Sequence, residues 1–542
     1  MGSYPGRSVL IELPEFEEQR TKTSNWDPHQ YSTGLRLSTN LTVNLRLFRS
    51  HQTPYSCLYL DYYSYPTRPV RPIINAEKAL ELRGRKVTDK PPRHDAPFVL
   101  VWLRNALRGV DNPTIDAAVA LANKLGQPVV VLQDVGSSPY PSARLHTFAL
   151  QAAPGLARDL EARGIRYALH VTSAGQVPLA FRLAKGAGAV FSDDLPTART
   201  VLGQLAQTTN VPVTAVDSAC LVPLATFSDV IPTPSAFLRA HRQTRELHER
   251  LDLTQAPTLP PYEGDLGNNA HPDNPEAWQA LIRDGKADLS LPPVSLSGSR
   301  EAALVQLRRT LDEVLPEYDA RRTNPADPQS CSRLSPYLHF GTIGVRELVR
   351  GVHEADVPTR ARYKFLDELL KWREFFYHQA DKREDPASYA HVASWARESL
   401  AEHAQDERPE LYSQAELLNG DTADETWNAA QKAYLCDGWM HNNLRMYWAA
   451  QLLKWLPTPE EAYKTACVLN DRLSLDGRDP STYGNIQYMF GGGKRGYREL
   501  DIYGWVPPRS DRALRNRPGV PAWLKKAAQR QGPVLEPWTE FS

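Results

Sequence analysis

Residues 98–132 decide the fold of the first half of the chain, and they read FVLVWLRNALRGVDNPTIDAAVALANKLGQPVVVL. The run Phe98–Trp102 is apolar throughout, which is typical of a strand buried on both faces. Residues 113–125 carry apolar side chains at helical spacing, with a proline at the start and a glycine after the end. The run Pro128–Leu132 predicts a second buried strand. A strand, a helix and a strand in this order predict a unit of parallel sheet.

The same alternation continues to about residue 225. A long helix is predicted over 142–163, and further strands over Tyr167–Val171, Ala189–Ser192 and Val213–Val216. We therefore predict a doubly wound, Rossmann-like parallel sheet over 96–225, with a ligand at the carboxyl ends of its strands. This region contains neither G-x-G-x-x-G nor the P-loop pattern, so a standard dinucleotide or P-loop site is not supported.

The segments around this sheet have a different character. Residues 1–95 are polar and weakly periodic, which predicts a partly disordered extension, with order beginning near Pro97. Residues 226–298 are interpreted as an interdomain linker draped over the surface, because its part from 253 to 298 holds seven prolines. An all-helical domain is predicted over 299–525 and a tail over 526–542. The helical segments are predicted at 300–315, 343–353, 361–380, 426–436, 440–456 and 458–473.

Composition narrows the class of protein. A chain of 542 residues is too long for one ordinary core and predicts two or three domains. Lys+Arg and Asp+Glu both number 63, which excludes a histone-like binder of polyanions but leaves room for a local basic face. The five scattered cysteines include no C-x-x-C pair, so neither a zinc ribbon nor a disulfide framework fits, and a reducing compartment is expected. No stretch approaches 18 apolar residues, which predicts no membrane span.

Two stretches of the helical half suggest ligand contacts. In Ser332–Gly341 (SRLSPYLHFG), two serines precede a helix that starts with proline, which suits either a phosphate or a simple helix cap. In 366–378, Glu368 and Trp372 lie four residues apart and share one helix face. A carboxyl group beside an indole could bind a heterocyclic base, although an exposed acid next to a core tryptophan is the commoner case.

Two further stretches complete the set. Trp448 and Trp455 are seven residues apart, which places their rings on one helix face within reach of electron hopping, while an ordinary aromatic core is the alternative. Arg445, Met446 and His441 crowd the same segment and favour a functional role. Residues 469–489 contain Asp-Gly-Arg-Asp-Pro, a turn rich in donors and acceptors for the polar edges of a ligand.

Taken in order, these stretches resemble the photolyase/cryptochrome superfamily over most of residues 96–525. The matching phrases are LSPYLHFG, WREF, MHxxxRM and DGRDP. The resemblance implies an α/β antenna domain over 96–225, a long linker, and a helical domain over 299–525 that binds FAD.

Within that superfamily the chain is most similar to class II photolyases of cyclobutane pyrimidine dimers (CPD). The class II-like phrases are WNAAQ from Trp427, RMYW ending at Trp448, LND from Leu469 and LDGRDP from Leu475. Ile486 stands where class I keeps a flavin-proximal tryptophan, which also favours class II. Residues 438–443 and 483–487 look more like class I, and Tyr488 stands where class II has a tryptophan.

The resemblance implies a role for each matching residue. Catalytic roles fall on Glu368 (a hydrogen bond to the 5′ pyrimidine), Asn470 (facing flavin N5) and the electron-transfer residues Trp448, Trp427 and Trp455. FAD-binding roles fall on Tyr318, Ser332, Leu334, Ser335, Arg373, Arg445, Asn470, Asp476 and Asp479, with Arg445 paired to Asp476 beside the flavin ring. Roles in binding the lesion or DNA fall on Arg322, Glu368, Trp372, Met446, Tyr488, Lys494, Arg495, Arg512 and Arg515, with Trp372 and Tyr488 bracketing the flipped-out dimer.

The DNA face also follows from charge. Residues 509–530 carry seven Lys or Arg against one acid, which is interpreted as a phosphate track rather than as a merely solvated face.

The expected partner is UV-damaged DNA, single- or double-stranded, with no membrane and no oligomer. The expected compartment is the cytoplasm, at the nucleoid in a prokaryote, or the nucleus or an organelle in a eukaryote. A second antenna chromophore of deazaflavin or folate type is expected without further identification.

The function implied is therefore light-dependent splitting of CPDs by an electron from photoexcited reduced FAD. Alternatives are a cryptochrome-like photoreceptor without repair activity, whose usual long tail is missing here, and a (6-4) photolyase, which would need a pair of active-site histidines. An FAD-containing oxidoreductase or helical scaffold of another family leaves the tryptophans unexplained. No metal is predicted, because only three cysteines lie in the helical half and an iron–sulfur cluster needs four ligands.

Overall fold

The computed structural model describes residues 75–136 and 140–538, together with the backbone of two short paired strands, Leu35–Arg36 and Thr42–Val43. The chain divides into two units, Met1–Arg71 and Pro72–Ser542, and the site lies in the second. The predicted disorder of the extension falls largely outside the described residues.

A six-stranded sheet forms the core of the first part of this unit. Its strands are β1 (Gly84–Lys86), β2 (Val99–Leu103), β3 (Val129–Val135), β4 (Arg166–Val171), β5 (Val190–Asp193) and β6 (Val213–Val216), in the order β1-β6-β5-β2-β3-β4. Strands β2 to β6 are parallel, and β1 joins the edge antiparallel. In β2, Val101 and Leu103 face one hydrophobic cluster while Leu100 and Trp102 face another. Both faces are therefore covered, and the predicted fold class is confirmed.

The helices of this part cover the two faces of the sheet. Helix Pro113–Leu125 begins where the predicted boundary lies, because the side chain of Asn112 accepts hydrogen bonds from its first turn, and it ends at Gly126 with a φ of 65°. The other helices are Ala76–Arg83, Ala143–Leu150, Ala153–Ala162, Leu179–Ala184 and Thr200–Thr208, with single 3-10 turns at Pro196–Ala198 and Leu224–Thr226.

Two expectations for this part are wrong. Order begins before Pro97, since helix Ala76–Arg83 and β1 precede it, and buried Arg83 donates to the carbonyl oxygens of Asp217, Cys220 and Leu221. The helix predicted over 142–163 is two helices, because Pro154 has no N–H and its ring would clash with the carbonyl group of residue 150.

The linker also does more than cover a surface. It contains helices Pro234–Arg250 and Pro275–Asp284, and it buries Phe237, Trp278 and Leu291. The domain boundaries at 95, 225, 298 and 525 remain predictions.

The second part is helical, as predicted. Its helices are Arg300–Arg309, Tyr318–Arg321, Ser335–His339, Val345–Glu354, Thr359–Leu366, Glu374–Asp381, Ser394–Glu402, Gln414–Asn419, Glu425–Asp437, Asn442–Trp455, Pro459–Leu473, Pro480–Gln487, Asp511–Arg515 and Val520–Ala528, with 3-10 turns at Leu315–Glu317 and Tyr389–His391. Three π-helical segments interrupt this series, at Thr310–Val314, Asp367–Arg373 and Tyr488–Gly492. Segments of this kind are frequent at functional sites. Within the described residues, no helix is long and apolar enough to cross a membrane.

Candidate active site

Two adjoining cavities open among the helices of the second part. The larger has a volume of about 500 Å³ and the smaller about 170 Å³. Both are lined by Ser335, Arg373, Trp439 and Asn485, so the two form one continuous cleft. Its size is in the usual range for an organic ligand.

The smaller cavity contains a buried ion pair. Arg445 lies 3.1 Å from the Asp476 carboxylate, and this is the predicted pairing. Burial alone would raise the pKa of Asp476, but the Arg445 charge and the hydrogen bonds from Ser335 and Ser474 together outweigh burial and lower that pKa below its usual value. The Nε atom of Arg445 is buried without a hydrogen-bond partner among the described residues. The pair therefore offers a fixed cation and an unused N–H donor.

Asp479 forms the centre of a second polar cluster on the same wall. Its carboxylate accepts a hydrogen bond from Tyr377 (2.6 Å), lies 3.2 Å from His339 Nδ1, and caps the helix that begins at Pro480. Arg373 donates to the Tyr377 hydroxyl at 3.1 Å. Burial alone would raise the pKa of Asp479. The hydrogen bond from His339 and the charge of Arg373 outweigh burial and hold that pKa well below its usual range.

The serines of SRLSPYLHFG lie along the larger cavity. Ser332 and Ser335 line it, and the Ser335 hydroxyl accepts a hydrogen bond from Trp439 Nε1 at 3.2 Å. Leu334 is buried and lines the cavity beside them, as does Tyr318, whose ring meets Phe365 edge to face.

His441 adds a donor that sequence reasoning did not assign. Its Nδ1 accepts from the Asn443 backbone at 3.1 Å, and burial lowers its pKa to about 4. The neutral ring therefore carries its proton on Nε2, which is buried without a hydrogen-bond partner in the part of the chain that the structure describes. Together with Arg445 Nε, this unused donor fits a ligand rich in acceptors, and FAD, with its pyrophosphate, hydroxyls and ring carbonyls, is such a ligand.

The other side of the larger cavity carries the predicted lesion residues. Glu368 and Trp372 project into it from π-helical segment Asp367–Arg373, rather than from the predicted α-helix. The Glu368 carboxylate lies 3.2 Å from Arg322 and 2.7 Å from Lys364. Because two cations contact it, Glu368 is arranged to accept hydrogen bonds. Lys364 is four residues before Glu368, so the helical spacing could have identified it.

Trp372 and Tyr488 touch each other at this cavity. Their ring centroids are 5.9 Å apart and their planes meet at 82°. A flat base held between two parallel rings needs about 7 Å, two van der Waals contacts, between them. The pair is thus closed edge to face, and bracketing a dimer requires one of the rings to rotate. Met446 lies beside them, 3.5 Å from Arg509, a cation of the basic tract that sequence reasoning did not assign to the cavity.

The three predicted electron-transfer residues form one continuous stack of rings. Trp448 lies parallel to Trp427 at 6.0 Å, and Trp427 meets Trp455 edge to face at 5.3 Å. Tyr434 extends the chain inward, because its ring lies 5.6 Å from Trp448 and 5.5 Å from the Arg445 guanidinium. No motif distinguished Tyr434 in the sequence.

Asn470 does not reach the cleft wall. It is fully buried, its side-chain oxygen accepts from the Tyr434 hydroxyl at 2.8 Å, and its amide nitrogen lies 3.3 Å from Asp471. The contacts of Asn470 therefore do not support the prediction that it faces a flavin.

The predicted DNA-binding cations separate into two groups. Lys494, Arg495 and Arg512 are exposed. Arg515 is engaged with Asp511 at 2.7 Å and with Glu425 at 3.2 Å, so its charge is already compensated.

A third cavity, of about 480 Å³, lies at the carboxyl ends of β2, β3 and β5, where the sheet topology predicts a ligand. His146 and Asp134 line it with buried atoms that have no hydrogen-bond partner within residues 75–136 and 140–538. Burial lowers the pKa of His146 to about 4 and raises that of Asp134 to about 6.

Comparison with known proteins identifies the family of this chain. Residues 99–260 match the DNA photolyase family model. The chain is 30% identical to the deoxyribodipyrimidine photo-lyase of Methanothermobacter thermautotrophicus, over 82% of this chain and 96% of that protein. It is 32% identical to the deoxyribodipyrimidine photo-lyase of Potorous tridactylus, over 67% of this chain and 68% of that protein. Its fold resembles a class III photolyase from Agrobacterium tumefaciens (TM-score 0.53, 20% identity, 80% of this chain and 86% of that one). It also resembles the Synechocystis cryptochrome (TM-score 0.58, 18% identity, 76% and 86%). With a relative this similar along nearly its whole length, and with the cleft and the tryptophan stack in one helical body, the chain belongs to the DNA photolyase family.

Proposed function

We propose that this protein is a deoxyribodipyrimidine photo-lyase that uses light and FAD to split cyclobutane pyrimidine dimers in damaged DNA. The observation that carries the proposal is one cleft that joins three groups: Glu368 and Trp372 on one side, the Arg445–Asp476 pair on the other, and the tryptophan stack behind it. The curated relatives bear the name of this activity.

The smaller cavity and the side of the larger cavity that carries Ser332 and Ser335 are assigned to the cofactor. FAD, when bound, supplies the light-driven electron that opens the cyclobutane ring. Arg445 and Asp476 hold a fixed cation and anion beside it, and Ser332, Ser335 and His441 supply hydroxyl and N–H groups for its phosphates and hydroxyls.

The larger cavity is assigned to the dimer. Glu368 accepts from an N–H of the 5′ pyrimidine, and its cationic partners Arg322 and Lys364 keep it oriented while offering charge to a neighbouring phosphate. Trp372 and Tyr488 stack on the extruded bases after one ring turns, and Met446 fills the remaining gap.

The stack from Trp455 through Trp427 to Trp448 is assigned to reduction of the cofactor. The order of the three rings and the buried Ile486 are the features that favour class II among the photolyases. The cavity beside β3 is assigned to a second, antenna chromophore. We further propose that the protein acts as a monomer on single- or double-stranded DNA, through exposed cations such as Lys494 and Arg512.

The test is a repair assay on UV-irradiated oligo(dT) with FAD-loaded protein. Blue light should remove the dimers and darkness should leave them. Dimers that persist equally in both arms, with FAD bound and reduced, would favour a photoreceptor. Repair of an oligonucleotide carrying a (6-4) photoproduct, in place of the CPD substrate, would move the assignment to that class.

A further inference from the structure

A fourth cavity lies at the outer end of the tryptophan stack. It has a volume of about 510 Å³, and its aromatic walls are Tyr412, Trp455 and Trp538. Leu411, 64% exposed, stands at its rim. None of the roles assigned above uses this cavity.

The cavity is in direct contact with the electron-transfer residues. The Trp455 ring is 3% exposed and packs against Trp427 at 5.3 Å on one side and against Tyr412 at 5.2 Å on the other. A molecule in the cavity would therefore touch the outermost ring of the stack. Electron transfer weakens steeply with distance, so contact at this point is the shortest route from solution into the chain.

The charges at the cavity select among reductants. Glu460 and Glu461 are exposed and line it, and Glu410 accepts a hydrogen bond from the Tyr412 hydroxyl. Lys464 is the one cation among the lining residues that the structure describes. Two lining carboxylates against one lining ammonium, with Glu410 next to the wall residue Tyr412, repel anions and attract cations.

We propose that this cavity binds a small, planar aromatic one-electron donor, uncharged or cationic, that restores oxidised Trp455. The proposal rests on the proposed function, because it concerns how the same enzyme is supplied with electrons. The donor transfers one electron to the oxidised Trp455 ring and returns that ring to its reduced state. The donor then leaves in its one-electron-oxidised form, and no bond is made or broken. If Tyr412 becomes oxidised in place of Trp455, its phenolic proton passes to Glu410 and returns when the donor's electron arrives.

At the inner end of the stack, the hydrogen-bond partner of the tyrosine is a weaker proton acceptor. The Tyr434 hydroxyl donates to the amide oxygen of Asn470, which is not a base at neutral pH. Loss of a proton on oxidation is therefore easier at Tyr412, beside the cavity, than at Tyr434.

The experiment measures photoreduction of the FAD-loaded enzyme by tetramethyl-p-phenylenediamine, a planar and uncharged donor, with ferrocyanide as the anionic comparison. The rate should saturate with the diamine. Leu411→Trp, which fills the rim, should raise its half-saturating concentration about ten-fold, equivalent to about 1.4 kcal/mol. The double variant Glu460→Gln/Glu461→Gln should lower the preference for the diamine over ferrocyanide about three-fold, as expected for exposed charges.

Two controls make the outcome decisive. The exposed pair Glu161→Gln/Glu276→Gln, away from the cavity, should leave both donors unchanged. Repair by chemically prereduced enzyme should be the same in every variant, so loss of repair there would count against the proposed function and not against the cavity. A rate that rises linearly with the diamine and is indifferent to the Glu460/Glu461 variant would overturn the proposal, whether or not Leu411→Trp folds.

Discussion

At the scale of single residues, Tyr434 joins the cofactor side of the site to the tryptophan stack. Its ring faces both Arg445 and Trp448, and its hydroxyl fixes the amide of Asn470. Trp448 is held as firmly, since its Nε1 donates to Gln431 at 2.9 Å. Rings fixed in this way keep their separation, which electron transfer requires.

Trp448→Phe tests the stack. Phenylalanine preserves an aromatic ring but is far harder to oxidise, so light-driven reduction of the cofactor should fall by at least about ten-fold, while prereduced enzyme repairs normally. The measurement is the absorbance of the flavin under illumination. Trp278→Phe, a buried tryptophan of the linker, serves as the control. Unchanged photoreduction in Trp448→Phe would mean that electrons enter by another route.

Tyr488 tests the lesion pocket. Base–aromatic stacking contributes about 1–3 kcal/mol, so Tyr488→Ala should weaken binding to dimer-containing DNA by roughly ten-fold or more, with little effect on undamaged DNA. Tyr488→Trp should tighten it several-fold, since an indole offers more area and the Tyr-to-Trp difference is about 1 kcal/mol or less. The measurement is a titration of labelled oligonucleotide in the dark. If Tyr488→Ala bound dimer-containing DNA with wild-type affinity, Tyr488 would not be part of the lesion pocket.

At the scale of elements, one side chain fastens the sheet part to the helices that carry the tryptophans. Arg144, in helix Ala143–Leu150, is buried and donates to the carbonyl oxygens of Tyr434 (2.8 Å), Leu435 (2.6 Å) and Leu473 (2.9 Å). These carbonyls lie at the ends of two helices, where no intrahelical N–H is available to them. Burial lowers the pKa of Arg144 to about 10, which leaves it charged at neutral pH.

Arg144→Met should lower the free energy of unfolding by about 3 kcal/mol, because it leaves buried carbonyls without donors. Urea unfolding followed by circular dichroism measures this. Arg158→Met, at a position 61% exposed, should change stability by less than about 0.5 kcal/mol. Equal effects at the two positions would show that the contact between sheet part and helices does not depend on Arg144.

At the scale of the whole molecule, stability depends on histidines that folding keeps neutral. His378 is fully buried, stacks on Phe237 of the linker, and accepts from the Ile231 backbone at 2.9 Å. Burial lowers its pKa from 6.5 to about 4. Between those two pH values the unfolded chain binds a proton that the folded chain does not. The contribution of neutral His378 to the free energy of unfolding is therefore complete above pH 6.5 and is lost as the pH falls toward 4.

His378→Gln keeps an acceptor for the Ile231 N–H but cannot be protonated. Between pH 7 and pH 5, wild type should therefore lose about 2 kcal/mol more stability than the variant, from a pKa difference integrated over that range. The other titrating groups are common to both proteins and cancel in the comparison. Parallel curves of unfolding free energy against pH would show that His378 does not titrate on unfolding.

The sequence by itself determined the features that depend on local pattern. The parallel strands, helix Pro113–Leu125 and the helical second part followed from apolar spacing and from caps, and the Arg445–Asp476 pair followed from family motifs. The break at Pro154 was missed, although it depends on the chemistry of one residue and could therefore have been predicted.

Tertiary structure alone decided which distant residues meet. Trp427 lies between Trp448 and Trp455 although it precedes both in the chain, and Tyr434 enters the stack from the same helix as Trp427. Arg515, predicted to bind DNA, is compensated by Glu425 from another helix. The closed Trp372–Tyr488 pair depends on two π-helical segments meeting. Helix packing brings such groups together, and the spacing of residues along the chain carries no record of it, because each contact joins segments far apart in sequence.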